Sequence, residues 1–238
     1  MKNIKKNMTI LLISIIVISI ITLTMSIFVF LLLNKNDFIS TILAILSIIF
    51  VIILLKLNEK FEYLRHNYNL EGLINQSETP FKINKNFTIE SLSNHLIKNH
   101  NYIHHLNSNN FIILYKFENT NKKRRQSLKA ILIYKQNIKF NSYSSNNAFE
   151  KLENELSKNN KYFKRSFIQF KIQEKSIDEN NIEEANEIFF INHRKNNISL
   201  NNVIYSKKDK EIYFLHSKTF KPLNILNETI NEIKMIIK

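Results

Sequence analysis

From Met8 to Leu33 the chain runs for 26 residues without a charged side chain, and almost every residue is Ile, Leu, Val, Phe, Ser or Thr. As a helix at 1.5 Å rise, such a run covers about 39 Å, enough to cross a hydrocarbon core of about 30 Å. A second uncharged run, Phe38 to Leu55, begins after only four polar residues, Asn34 to Asp37. A linker that short returns the second helix antiparallel to the first, so the sequence predicts a two-helix transmembrane hairpin. No small-x-small cleavage site follows the first run, and its length exceeds a signal-peptide core, which favours a retained span.

The basic residues set the expected orientation. Lys2, Lys5 and Lys6 precede the first span, and Lys56, Lys60 and Arg65 follow the second, while the linker holds one Lys beside one Asp. Under the positive-inside rule both termini are cytoplasmic in a cell membrane. The predicted organisation is a cytoplasmic segment 1–7, spans 8–33 and 38–55 around an external loop 34–37, a juxtamembrane helix and connector 56–85, and a cytoplasmic domain 86–238. Neither span carries an ionisable group, the usual mark of a proton or ion pathway, so the hairpin reads as an anchor. Ser19, Thr22 and Ser26 share one helical face, as do Ser40, Ala44 and Ser47. Small residues let helix backbones approach, which makes these six a candidate helix–helix seam and a candidate surface for homo-oligomers.

Beyond the hairpin the periodicity is that of an ordinary domain. The pattern predicts helices over 89–99 (N-cap Thr88), 148–158 (capping box Asn147/Glu150), a short helix ending at Asn186 (capping box Ser176/Glu179), and a last helix opening at Pro222. Strands are expected over 111–117, 128–134, 138–143, 163–172, 188–191, 202–205 and 211–216. The expected fold class is α+β, with a mainly antiparallel sheet and three to four helices in the soluble part.

One Gly and no Cys in 238 residues exclude much chemistry. Phosphate-cradling loops, dinucleotide turns and nucleophile elbows need glycines where backbone must approach closely or turn sharply. Thiolate metal sites and disulfides need cysteine. The sequence calls for no cofactor. His95, His100, His104 and His105 fall within eleven residues and are the nearest approach to a metal site, though they match no ligand motif. Glu118 and Glu211, on strand ends near lysines, resemble in residue type alone the acidic pattern of metal-dependent nucleases.

The formal net charge is +14, in a chain whose Asn, Ile and Lys excess also fits an A/T-rich coding composition. The sharpest local feature is Lys122-Lys123-Arg124-Arg125, between two predicted strands. Facing a membrane, four adjacent cations attract anionic lipid headgroups; facing away, they suit nucleic acid or an acidic protein surface. The sequence thus points to a membrane-anchored binding module whose partners are the bilayer and an anionic lipid, protein or nucleic acid. The alternatives are a membrane-tethered hydrolase of nuclease type and an accessory subunit of a larger membrane complex.

Overall fold

The structure is a computed structural model describing residues 1–32, 36–120, 125–136, 138–157, 162–193 and 196–238. It divides into two compact units, Met1–Gly72 and Leu73–Lys238.

The first unit is a pair of long helices, α1 (Lys2–Leu32) and α2 (Asp37–Asn75). Both are long and apolar enough to cross a membrane, and only 6% of each apolar window is buried. The Met1 ammonium lies 3.6 Å from Glu71 Oε2, so the helices run antiparallel. Their covered positions follow a heptad rhythm. In α1 these include Ile4, Met8, Leu11, Ile15, Ile18, Thr22, Met25 and Val29; in α2 they include Ser40, Leu43, Ser47, Phe50, Leu54, Leu57, Phe61 and Leu64. Alternating steps of three and four keep one stripe of each helix toward its neighbour, as in coiled coils. Hydroxyls in the apolar stretches are satisfied within their own helix: Thr22 Oγ1 donates to Ile18 O at 2.7 Å and Ser47 Oγ to Leu43 O at 2.9 Å. Satisfying polar groups locally is what a lipid environment demands. Of the juxtamembrane helix and connector expected over 56–85, the helical part is the longer, because α2 runs to Asn75.

The second unit is α+β. Among the described residues it holds four helices and an eight-stranded mixed sheet: β1 (Phe81–Lys82), α3 (Ile89–His100), β2 (Ile103–Asn107), β3 (Phe111–Thr120), β4 (Arg125–Tyr134), α4 (Tyr143–Ser157), β5 (Tyr162–Gln173), α5 (Glu179–Asn186), β6 (Phe189–His193), β7 (Asn196–Ser206), β8 (Glu211–Phe214) and α6 (Asn224–Ile237). The strand order is β1-β8-β7-β5-β4-β3-β2, with β6 also on β7. The expectation of a mainly antiparallel sheet needs correction at its centre, where β5 lies parallel to both β4 and β7. The reason is the crossover: α4 carries the chain from β4 to β5, and a helical crossover returns the next strand in the same direction. The edges, β2–β3–β4 and β7–β8–β1, are antiparallel as expected.

Strand alternation gives the sheet two buried faces. Ile113, Leu128, Ala130, Leu132, Phe167, Leu200 and Ile204 join Phe149 and Leu152 of α4 and Ala185 of α5 in one core. The opposite face meets α3 and α6, with Leu92, Leu96, Leu226, Ile230 and Ile233 fully or almost fully buried. Phe87 packs edge-on against Phe170 and Tyr205 of that face. Thr88 caps α3 as predicted, accepting from Ser91 N at 3.1 Å. For α5 the cap is Asp178 with Asn181, in place of Ser176 with Glu179. Asn147 caps nothing, since α4 begins at Tyr143 and absorbs part of the strand expected over 138–143.

Candidate functional site

Under α6 the sheet carries a buried charge cluster. Lys116 of β3 and Lys129 of β4 stand opposite one another in register. Like charges at that spacing repel, and two carboxylates compensate. Glu232 of α6, fully buried, lies 2.6 Å from each ammonium, and Glu118 lies 3.1 Å from Lys116 and 2.7 Å from Lys129. Tyr102 donates to Glu232 Oε1 at 3.1 Å, and Lys116 Nζ sits 4.6 Å above the Tyr102 ring. Burial acts to raise the Glu232 pKa, but hydrogen bonds from Lys116 and Lys129 outweigh it and hold the carboxyl below its ordinary value. Burial likewise opposes charge on Lys129, and the bonds to Glu118 and Glu232 reverse the sign, raising it. Burial first, then the Glu232 charge, pushes the Tyr102 phenol well up. Glu118, flagged by the sequence, is therefore saturated by lysines. Glu211 pairs in β8 with Lys82 of β1, far along the sheet from Glu118.

The four histidines part company. His95 and His100 converge, with Nε2 atoms 3.2 Å apart. Asn99 Nδ2 donates to His95 Nδ1 at 2.7 Å, which assigns the ring proton to Nε2, 3.1 Å from Ile236 O. Lys85 Nζ approaches the same ring at 3.2 Å. Burial lowers both histidine pKa values, helped by Lys85 for His95 and by His95 and Lys116 for His100. His104 is an exposed residue of β2. His105 sits at the bulge in that strand and lies 3.5 Å from Glu155 of α4. Among the described residues no three His, Asp or Glu side chains are grouped to hold a metal ion.

A second polar centre lies on the face under α4 and α5. Gln169 of β5, fully buried, accepts from Tyr134 Oη at 2.5 Å and from Asn141 N at 3.1 Å, and returns a bond to Asn141 Oδ1. Beside it Lys171 donates to Glu184 at 2.7 Å beneath the Phe140 ring. These groups satisfy one another and fix the loop before α4.

The open feature of the unit is a cleft of about 630 Å³ between the β1–β8 edge and the last turn of α6. Phe81, Ile83 and Ile237 give it an apolar floor. His216 forms one wall, stacked on Phe214 at 4.3 Å, with Phe81 edge-on to both rings. His216 Nδ1 contacts Phe214 O at 3.0 Å. Burial lowers the His216 pKa, opposed by that carbonyl. Lys85, Lys218, Lys234 and Lys238 line the same space with one acidic side chain among the described residues, Glu78, which Lys218 meets at 3.0 Å. That bond chiefly lowers the Glu78 pKa. A smaller hollow, about 490 Å³, opens at the ends of β5 and β7 beside Lys135, Gln173 and Lys207.

Sequence reasoning missed the cleft because its lysines are spread over 150 residues and no local run announces them. Of the flagged basic run, Lys122, Lys123 and Arg124 lie outside the described residues; Arg125 opens β4, and its side chain also lies outside them. Of the flagged seam, Thr22, Ser40, Ala44 and Ser47 are wholly or partly covered, whereas Ser19 and Ser26 are exposed. The chain matches no family model, no curated protein and no solved structure.

Proposed function

We propose that this protein is a membrane-anchored binding module, with α1 and α2 as a bilayer-spanning hairpin and the α+β unit as a ligand-binding domain on the cytoplasmic side. The observation that carries the membrane reading is exposure: Phe30 is 82%, Phe38 75%, Leu23 64% and Ile48 60% accessible. Helices whose outward faces are continuous Ile, Leu and Phe have no stable existence in water, and lipid is the solvent that fits them. Lysines at the near ends of both spans support cytoplasmic termini. The binding reading draws support from the state of the carboxylates. Glu232, Glu118 and Glu184 are held by lysines, which leaves them poorly placed as metal ligands or general bases for a hydrolase. The lysine-lined cleft, by contrast, stands open. The basic run Lys122 to Arg125 adds a second sequence feature suited to an anionic partner.

The absence of native cysteine makes the test clean. Full-length chains with a single Cys at Asn36 or at Ser217 are expressed in cells and exposed to an impermeant thiol reagent. Labelling at 36 in intact cells, with labelling at 217 only after lysis, is expected, together with retention in the membrane after alkaline extraction. Release by alkali overturns the anchor; labelling at 217 from outside overturns the orientation.

A further inference from the structure

We propose that the cleft between the β1–β8 edge and the last turn of α6 binds a phosphate ester carried on an apolar body. The inference rests on the reading of this unit as a binding domain, and it is independent of the orientation of the hairpin.

Charge supplies the first argument. The last-turn carbonyls of α6 carry partial negative charge and attract a cation. Lys85 already serves them, 3.4 Å from Ile236 O. Lys234 and Lys238, one turn apart, add two more ammoniums, and Lys234 pairs with no carboxylate among the described residues. Lys218 is 76% exposed and holds Glu78 through a solvent-facing pair that an incoming anion can exchange. The cationic surplus therefore exceeds what the helix end and Glu78 require.

Side-chain type narrows the anion. No Arg lines the cleft, so the planar fork that suits a carboxylate is missing. Ammoniums instead come from the loop after β1, the loop after β8 and the end of α6, and such separate single-point donors suit the compact, doubly charged oxygen cluster of a phosphate monoester. Shape then requires more than phosphate. A volume of about 630 Å³ is that of a small-molecule site, and the Phe81, Ile83 and Ile237 floor offers nothing to a bare ion. A lipid headgroup with its first methylenes and a soluble aromatic or aliphatic phosphate ester share this chemistry.

The test uses the full chain in neutral phosphatidylcholine nanodiscs and titration calorimetry with phenyl phosphate, with inorganic phosphate as the probe lacking a body. Phenyl phosphate is expected to bind at least about tenfold more tightly than inorganic phosphate, a gap of the size one buried apolar group provides. The double variant Lys218→Gln/Lys234→Gln is expected to weaken it about tenfold or more with the thermal midpoint unchanged. Lys135→Gln/Lys207→Gln, at the smaller hollow, is expected to leave it intact. Equal binding of the two probes, or binding indifferent to Lys218 and Lys234, overturns the proposal. Repeating the titration in nanodiscs doped with phosphatidic acid separates the sources. Suppressed phenyl phosphate binding identifies the lipid headgroup, and unchanged binding identifies a soluble ester. Failure of the anchor reading shows in alkaline extraction, which is blind to this titration.

Discussion

Lys129 Nζ sits 2.6 Å from Glu232 Oε2, tying the middle of strand β4 to the third turn of helix α6. Because Lys116 holds the other oxygen at the same distance, one carboxylate bridges two lysines that would otherwise repel across the ladder, and Glu118 supplies the second negative charge.

Removing that carboxylate is expected to be severe. Glu232→Ala leaves two largely buried ammoniums with only Glu118 to share, and a loss of about 3–5 kcal/mol is expected. Replacing Glu232, Lys116 and Lys129 together by Met or Leu is expected to restore stability to near the parent level or above it. Urea denaturation of the three chains checks both statements. A mild loss in the single variant would show that the cluster is not desolvated.

The hydroxyl trio behind the cluster is directional. Thr229 Oγ1 donates to Ile225 O at 3.1 Å, so it accepts from Ser166, at 2.7 Å, and from Ser199. All three are buried. Thr229→Val strands two serine donors and is expected to cost about 1–3 kcal/mol. Adding Ser166→Ala and Ser199→Ala is expected to recover most of that loss, because no donor is then left without an acceptor. The same denaturation series measures the recovery.

Acidification is expected to weaken the domain in two stages. His95, His100 and His216 have folded pKa values below the ordinary 6.5, so the unfolded chain takes up protons first. Their contribution is whole above about pH 6.5 and declines as pH falls below it. The groups facing His216 are Lys234, Lys218 and Glu78; those facing His100 are His95, Lys85, Lys116 and Glu232. Glu232 is also lowered, so its contribution is present above about 4.5 and is lost only as pH falls further, through its folded value. Urea midpoints should hold above about pH 6.5 and fall from there to about pH 5.5, and His100→Gln should flatten that slope. A midpoint independent of pH across this range contradicts the assignment.

Lys210, in the turn between β7 and β8, has φ 54°. A residue with a Cβ in the left-handed region costs roughly 1–2 kcal/mol, and Asn or Gly relieves part of this. Lys210→Asn is expected to raise stability by about 0.5–1 kcal/mol without disturbing the Ile83 N–Lys210 O bond. Asn101 already occupies the same region, and Gly there is expected to be near neutral, whereas Asn141→Gly also removes the acceptor of Gln169 Nε2 and is expected to cost about 1–3 kcal/mol. Thermal midpoints of the three variants test the ranking.

Much of this architecture could be read from the chain because its apolar residues keep period. The uncharged runs, the α3 cap at Thr88, the β3–β4 hairpin and the stripe Leu226, Ile230, Ile233, Ile237 all follow from spacing. What escaped was polar burial. The first half of β7 reads Asn-Asn-Ile-Ser-Leu-Asn-Asn, a loop by composition, yet Ser199, Asn201 and Asn202 are fully buried. Ser199 bonds to Thr229, and the Asn202 amide nitrogen donates to the carbonyls of Glu184 and Glu187, partners that exist only after folding. Strand β2, Ile-His-His-Leu-Asn, escaped for a related reason: as an edge strand it leaves Ile103 and Leu106 exposed, so no alternation marks it. The cleft escaped because charge gathered by a fold leaves no run in the sequence.

Strand β7 is long enough to seat two partners end to end on one edge. Strand β6 takes Asn196 to Leu200, β8 takes Val203 to Ser206, and Asn201 and Asn202 mark the joint. The joint makes that border separable. The β8–β1 ribbon and β6 are therefore expected to open from β7 independently of one another. Amide protons on this edge should therefore exchange with solvent at two rates that change over at Asn201. The set over Val203 to Ser206 faces the ribbon that walls the lysine cleft, so a bound ester is expected to slow its exchange and leave the β6 set unaltered.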